Sequence, residues 1–544
     1  MQLKWKRPLY LFHRWAGIVL CAFFALWFVS GVFMMYVEFP QLDRDERLAG
    51  EPTLDFSSAR LGPGEAVARM RAGDFDTVGT PLRNQARVVD DAQAEVVASS
   101  LSALMRVDTT TSQPGYRPLY RVQIAGAAQP RVVDARSGAV LPRVERDQAG
   151  AIAADFARRA WPETRATPRY LDTVQTNQWA VSSALNPHRP LHRFALDDAV
   201  GTELYVSSST GEVVRDSTRW ERVLNYPAAV THWLYPTLIR RHPDAWAWMV
   251  DILAGAGTLL AVSGIWIGLL RIKRRPKPGK SRVPYRGLMR WHHIGGLAFG
   301  LATLTWVLSG LLSMNPGRFN PPRSPSPAQS QVYGGKSLTP SDFDLPDFGV
   351  DGVEAEAHHY LGQAFWRVTR RDGGQALIAG NGQARVRPDA GTMRERAAQL
   401  LPEAPLLQVE TLTRYDDYYY TRHPERASHP LPVLRVRFGD EASSWFHLDP
   451  ASGVVLDRST RVNRVYRWLY NGLHSWDWWW LWQHRPLWDI AVIAFSLGGF
   501  ALSMTGVIVG WRRLRHDGRP SAVDRLSAAS APRPRTRRRP SPSA

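Results

Sequence analysis

The sequence TGEVVRDSTRWERVLNYPAAVTHW, residues 210–233, returns 242 residues later as SGVVLDRSTRVNRVYRWLYNGLHS, residues 452–475. The two stretches share a glycine, a Ser-Thr-Arg triplet, an arginine and a histidine in register. These positions pair Gly211 with Gly453, Ser217–Arg219 with Ser459–Arg461, Arg222 with Arg464 and His232 with His474. A register kept over this length indicates that the chain arose by tandem duplication.

A second repeat, offset by 279 residues, supports the same interpretation. It pairs Trp27, Ser30 and Gly31 with Trp306, Ser309 and Gly310, and His13 with His292. The first offset continues further along the chain, where Ser263-Gly264 meets Thr505-Gly506. Each half is therefore predicted to contain a membrane span, a lobe, an interfacial helix and a second span. The halves should be related by a pseudo-twofold axis along the membrane normal.

Four long apolar segments are predicted to cross a membrane, at 15–37, 245–270, 291–314 and 487–511. A helix of about 20 residues covers a hydrocarbon layer of about 30 Å. The basic residues before the first segment could mark a secretion signal. That segment is too long and lacks a small-x-small cleavage site, so we expect an uncleaved anchor. Glycine and serine at the helix contacts favour a four-helix bundle.

The positive charge of the chain is concentrated beside these segments. Residues 1–14 carry +4, residues 271–290 carry +9 and residues 511–544 carry +8, against +19 for the whole chain. Both termini and the 271–290 loop should therefore lie in the cytoplasm, with 512–544 a disordered tail. Residues 38–244 and 315–486 should lie outside. Since topology explains the charge, nucleic acid is not an expected partner.

The two outer segments are predicted to be α+β lobes, each ending in an interfacial helix, so the fold class is membrane α+β. Short alternating strands flank turns that contain glycine. Helices are expected at Glu65–Ala72, Ala149–Ala160 and Gly352–Leu361. The segment 413–430 mixes tyrosines with Arg422, His423 and His429, and could contact an extracytoplasmic ligand; alternatively, Tyr418–Tyr420 could form one strand. The single cysteine, Cys21, allows no intrachain disulfide.

Histidines are the main candidates for a functional site. His13 and His292 open the first and third spans, while His232 and His474 precede the second and fourth. Histidines on facing helices can bind haem iron from both sides, so two haem b groups could sit near the two membrane faces. From His13 to Val37 is roughly 36 Å of helix, so two large rings would leave a short gap for electrons. The alternative is that these histidines only anchor the spans at the headgroups.

Other residues leave further possibilities open. His242 and His484 also match under the 242-residue offset, and His293 could replace His292 as a ligand. Asp251 and Asp489 lie in the second and fourth spans and could serve transport, or pair with nearby basic side chains. The chain contains no HExxH, CxxC, Walker A or GxSxG motif. The cytoplasmic segments are too short for a flavin or nicotinamide domain, so an electron donor must be a separate protein or membrane component.

Several motifs together resemble the PepSY-associated transmembrane family. They are LFHRWAGIVL from residue 11, RWHHIGGLAFG from residue 290, DDYYY from residue 416, WFHLDPASGVVLDRSTR from residue 445 and the stretch from Tyr470 to Asp489. The resemblance implies a bacterial inner-membrane protein with four spans and periplasmic PepSY lobes. Some members resemble haem-bearing reductases that release iron from ferric siderophores, and the resemblance places His13, His292, His232 and His474 at the recurring histidines.

The expected function is therefore haem-dependent electron transfer from a cytoplasmic or membrane donor to a periplasmic acceptor such as a ferric siderophore. The alternative is a non-enzymatic envelope protein whose PepSY lobes bind or regulate a partner such as a peptidase.

Overall fold

The structure is a computed structural model, and its described residues form two compact units. One unit comprises residues 1–29, 251–310 and 489–544, and the other comprises residues 30–250 and 311–488. The described residues are 6–71, 94–101, 117–124, 129–164, 167–276, 281–334, 342–344, 348, 351–360, 362–381, 385–386, 388–421 and 429–517.

Four long helices in the described part of the chain are apolar enough to cross a membrane. They are Lys6–Met34, Pro243–Arg271, Gly287–Ser313 and Leu487–Asp517. Their apolar windows have mean hydropathies of 1.6 to 2.3. Each helix extends beyond its predicted apolar segment at one or both ends, where basic side chains can reach the headgroups. The chain is therefore a membrane protein.

The helical unit has an apolar core with close helix contacts. Leu20, Phe24 and Phe28 of the first long helix pack with Leu260 of the second. A Cβ atom placed at Gly499 of the fourth helix would lie 2.3 Å from the ring of Phe28. This glycine therefore allows the helices to approach, as small residues do in membrane bundles.

The second unit contains antiparallel strands arranged in three sheets. The strands are β1 (Ala94–Leu101), β2 (Arg117–Ile124), β3 (Arg131–Asp134), β4 (Arg169–Val174), β5 (Leu191–Ala195), β6 (Glu203–Ser207), β7 (Val213–Ser217), β8 (Gly352–Tyr360), β9 (Gln363–Arg370), β10 (Gln375–Ala379), β11 (Arg385–Val386), β12 (Leu406–Leu412), β13 (Val433–Phe438), β14 (Trp445–Leu448) and β15 (Val455–Ser459). Shorter α-helices are Arg44–Gly50, Pro63–Arg71, Arg146–Ala160, Arg219–Asn225, Thr237–Arg240, Pro327–Gly334, Ala390–Ala397, Arg461–Arg467 and Trp479–Trp482. Helices and sheets together give a membrane α+β protein.

The largest sheet joins the two segments 38–244 and 315–486, which the sequence predicts to be separate lobes. Its strand order is β11-β10-β9-β8-β1-β2-β3. Strand β1 from the first segment pairs with β8 from the second, with Val97 opposite Glu356. Tyr120 and Trp366, from the two segments, are both buried in one core. The outer segments therefore share a single sheet.

The predicted helix Gly352–Leu361 is wrong, because residues 352–360 form strand β8. The alternation of buried apolar residues with charged residues explains why this segment is a strand. Val353 and Ala355 are buried, whereas Glu354 and Glu356 form ion pairs with arginines. A period of two places these sets on opposite faces of a strand, and it outweighs the helix propensity of alanine and glutamate.

The other two sheets are meanders with matching order, β4-β5-β6-β7 and β12-β13-β14-β15. Each contains the shared glycine in its last turn, where Gly211 and Gly453 have φ of 75° and 73°. Only glycine adopts this backbone conformation without a steric penalty. The shared Ser-Thr-Arg triplet follows the last strand, and its threonine caps the next helix. The repeated sequence thus encodes a repeated strand, turn and helix start.

A buried carboxylate in β7 makes the stability of this unit depend on pH. The Asp216 side chain is 6% exposed, and its Oδ1 atom has no hydrogen-bond partner among the described residues. Burial, followed by the charges of Glu46 and Glu221, raises the pKa of Asp216 to about 8. The folded chain therefore keeps this proton at pH values where the unfolded chain has released it.

We expect Asp216→Asn to stabilise the protein at alkaline pH. An aspartate in the unfolded chain titrates near pH 4, so the free energy of unfolding should fall between about pH 4 and pH 8. The variant lacks this loss and should be more stable than wild type at pH 8.5 by about 1–3 kcal/mol. Thermal unfolding in detergent at pH 5.5 and 8.5 measures this, with Asp45→Asn as the exposed control. Parallel pH dependence in Asp216→Asn and wild type would contradict the expectation.

Candidate functional site

The helical unit brings His13 and His292 face to face. Their ring centroids are 6.4 Å apart, and the ring planes are inclined by 53°. Both rings line a cavity of about 400 Å³ between the four long helices. This volume lies within the range of small-molecule and cofactor sites. The structure therefore places the predicted pair in a space that can hold a ligand.

Hydrogen bonds to a neighbouring helix fix the tautomer of each ring and leave the other ring nitrogen free of these bonds. His13 Nδ1 lies 3.3 Å from the carbonyl oxygen of Leu260 and 3.1 Å from Ser263 Oγ. A carbonyl can only accept, so Nδ1 of His13 carries the proton and Nε2 carries the lone pair. Ser263 donates its own proton to Leu260 O at 2.8 Å and is free to accept.

The same arrangement recurs at His292. Its Nδ1 lies 2.8 Å from Thr505 Oγ1, and this hydroxyl donates to the carbonyl of Leu502 at 2.6 Å. Because the threonine proton is already committed, His292 Nδ1 donates to it and Nε2 is left as the acceptor nitrogen. Outer hydrogen bonds of this kind orient imidazoles that bind metals.

The glycine after each hydroxyl residue makes room for these rings. A Cβ atom at Gly264 would lie 2.7 Å from Cε1 of His13. A Cβ atom at Gly506 would lie 2.5 Å from Cys21 Sγ and 3.6 Å from Cε1 of His292. A larger residue at either glycine would clash with these side chains and displace them from the cavity wall.

Most residues that line the cavity occupy equivalent positions in the two sequence repeats. Of its 26 lining residues, 22 form eleven pairs separated by 279 or 242 positions. Examples are Gly17 with Gly296 and Leu260 with Leu502. The two halves of the chain therefore contribute nearly the same set of positions to the cavity.

The other unit contains a second histidine pair. His232 and His474 have ring centroids 6.0 Å apart with planes inclined by 72°. Ser30 Oγ lies 3.0 Å from His232 Nδ1, and a Cβ atom at Gly31 would lie 3.5 Å from Cε1 of the same ring. His232 thus repeats the pattern of imidazole, hydroxyl and glycine seen at His13 and His292.

A π-helical turn precedes each of these histidines. The turns are Tyr226–Val230 and Trp468–Gly472, and they match under the 242-residue offset. Such turns add a residue to a helical turn, rotate the following side chains and are frequent at functional sites. Each histidine follows its turn by two residues, so the extra residue in the turn can rotate the histidine side chain about the helix axis.

The spacing of both pairs fits a metal clamped between two imidazoles. With an iron–nitrogen bond of about 2 Å and a ring centre about 1.1 Å beyond, opposed imidazoles have centres roughly 6.2 Å apart. The observed separations are 6.4 Å and 6.0 Å. No group of three or more metal-binding side chains occurs among the residues that the structure describes. Two-histidine ligation suits a metal whose other ligands come from a planar macrocycle, and the residues therefore fit haem.

The remaining candidates occupy different surroundings. His242 and His484 are exposed, which makes them poor ligands for a buried cofactor. His293 is buried against Tyr285, with ring centroids 5.3 Å apart, and the ring facing His13 is that of His292. Asp251 is half-buried in the second long helix, with one buried oxygen lacking a hydrogen bond among the described residues.

The tyrosine-rich segment is built into the fold rather than arranged as a strand. Residues 417–419 form a bend, and residues 416 and 420 belong to no helix or strand. Tyr419 is fully buried and stacks on His447 at 4.6 Å, and Asp416 accepts hydrogen bonds from Arg435. The strand interpretation of Tyr418–Tyr420 is therefore wrong. Arg422 and His423 lie outside the described residues, and His429 contacts Tyr419.

Comparison with known proteins identifies the family. The chain matches the PepSY-associated TM region over residues 10–364, which is more than half of its length. The chain belongs to the PepSY-associated TM region family. No curated protein matches the chain significantly. The matched range includes His13, His232 and His292 of this family member, together with Ser30 and Ser263.

Sequence reasoning found the histidines of this family member but missed the groups that hold them. The sequence predicts serine and glycine at the helix contacts, and Thr505 appears in it only as the counterpart of Ser263 at the 242-residue offset. The position of Ser263, Thr505 and Ser30 beside a glycine and their recurrence at a fixed offset were the available signals. Only the structure shows that the hydroxyl contacts an imidazole on another helix.

If the His13–His292 pair holds haem, Thr505→Val should weaken haem binding without preventing folding, because the substitution removes the hydroxyl and keeps the shape. Loss of an outer-shell partner typically lowers metal-site affinity by about 10- to 100-fold. Haem titration followed by absorbance measures the change. Thr258→Val is the matched control, since Thr258 also bonds a carbonyl of its own helix and does not line the cavity. Equal haem affinity in Thr505→Val and Thr258→Val would contradict the assigned role.

Proposed function

We propose that this family member is a b-type haem protein of the bacterial inner membrane that transfers electrons to a periplasmic acceptor, a ferric siderophore. The observation that carries the proposal is the pair His13 and His292, whose rings are 6.4 Å apart in a shared cavity. The second pair, His232 and His474, supports a second haem site because it repeats the spacing.

The roles of the protein side chains follow from their contacts. His13 and His292 would hold the iron through Nε2, since Nδ1 of each ring is bonded to a neighbouring helix. Ser263 and Thr505 keep the rings from rotating. The apolar walls and glycine contacts exclude water and bring the helices close. When bound, haem supplies a one-electron ferric–ferrous couple, whose potential depends on burial and axial ligands.

The proposed topology follows from the sequence. The basic segments 1–14, 271–290 and 511–544 place both termini in the cytoplasm and the two outer segments in the periplasm. The tandem duplication is supported by the paired positions of the cavity and by the matching meanders. The electron donor is a separate cytoplasmic or membrane component, and the periplasmic sheets present the acceptor.

The direct experiment is a visible spectrum of the purified protein. We expect a bound pigment whose absorption bands sharpen after dithionite, and about two haems per chain. His13→Ala and His292→Ala should each lower the haem content by about half, whereas exposed His242→Ala should not. A colourless protein that cannot be reconstituted with haem would contradict the proposal and leave the partner-binding alternative.

The outer pair and the acceptor can be tested separately. His474→Ala should remove one haem and leave the spectrum of the His13–His292 site. Anaerobic addition of a ferric hydroxamate chelate should reoxidise the reduced wild-type protein. In His474→Ala this reoxidation should slow by about tenfold or more, because electrons no longer reach the periplasmic face. Unchanged reoxidation in the variant would argue against the proposed electron route.

A further inference from the structure

A third histidine, His293, packs on Tyr285 and lines the cavity. The side chain of His293 is 6% exposed, and neither ring nitrogen has a hydrogen-bond partner within the described part of the chain. The ring lines the cavity that contains His13 and His292. A buried ring nitrogen that makes no hydrogen bond is costly, and an acceptor group bound in the cavity would satisfy it.

The equivalent position in the first half also carries a basic residue. Arg14 corresponds to His293 under the 279-residue offset, as His13 corresponds to His292. Arg14 lines the same cavity, and so does Arg513. Each proposed ligand is therefore followed by a hydrogen-bond donor at the matched position, one on each side of the cavity.

We propose that Arg14 and His293 each bind one of the two carboxylates of the haem held by His13 and His292. This inference rests on the proposed function and adds the orientation of the cofactor. Haem b has two propionates on one edge, and an approximate twofold axis in the ring plane exchanges them. The same axis exchanges the two faces of the ring, and with them the axial ligands. A site built from two equivalent halves therefore offers one matched pair of residues to the two carboxylates, and another matched pair to the two faces of the ring.

The two donors differ in strength but not in role. The Arg14 guanidinium offers a charge-assisted, bidentate contact to a carboxylate. His293 can donate one N–H as a neutral imidazole. The carboxylate edge of the cofactor then faces the walls formed by Arg14, His293 and Arg513, and the apolar edge faces the walls that include Phe24 and Leu260. Cofactors that lack the carboxylates should lose this recognition.

The test compares haem with its dimethyl ester, which has the same ring and iron but no carboxylates. Affinity of the purified apoprotein for each is measured by absorbance titration in wild type, Arg14→Gln and His293→Gln. Wild type should prefer free haem by about 10- to 100-fold, since each charge-assisted bond contributes about a factor of ten. Each variant should lose about tenfold of that preference while binding the ester as wild type does. Arg512→Gln is the control, because Arg512 is basic and does not line the cavity.

The outcomes separate this inference from the proposed function. Loss of preference in Arg14→Gln and His293→Gln, with preference kept in Arg512→Gln, supports carboxylate recognition. Equal affinity of wild type for haem and its ester, or unchanged preference in both variants, overturns it while the haem proposal stands. If wild type binds neither compound, the proposed function itself fails. Because Arg14 is exposed, its variant keeps the test valid even if His293→Gln does not fold.

Discussion

The candidate site depends on one interaction, the hydrogen bond from a histidine Nδ1 to a group on a neighbouring helix. At His13 this group is the Leu260 carbonyl with Ser263, and at His292 it is Thr505. The bond fixes the tautomer and the ring direction together. It also requires a small residue beside the ring, which Gly264 and Gly506 supply. Helix spacing, cavity shape and histidine orientation are therefore consequences of the same contacts.

The two four-stranded meanders share their strand order but differ in the buried polar residues of their strands. Under the 242-residue offset, Tyr205 is replaced by His447 and Arg215 by Asp457. His447 accepts a hydrogen bond from Arg435 and bonds Asp457 through Nδ1. Burial would raise the pKa of Asp457, but the bonds from His447 and Arg323 hold it at about 2. The two meanders thus share strands, turns and helix caps, while their buried polar groups differ.

Much of the framework could be predicted from the sequence. The four apolar helices follow from hydropathy, and the offsets of 242 and 279 residues identify both histidine pairs. The shared sheet could not be predicted, because the pairing of β1 with β8 joins strands that are far apart in sequence. Residues 352–360 were misassigned because alanine and glutamate favour helices locally, whereas burial of alternate residues selects a strand. The π-helical turns and the hydroxyl partners depend on contacts between elements that a single sequence does not display.

In the proposed function, His13 and His292 would together hold one haem iron. An electron paramagnetic resonance spectrum of the oxidised, purified protein tests this directly, because axial ligation sets the spin state of ferric haem. We expect only low-spin, six-coordinate signals in wild type, and a high-spin signal that appears when His292 is replaced by alanine. A high-spin signal in wild type, or a low-spin spectrum unchanged by His292→Ala, would contradict ligation by this pair.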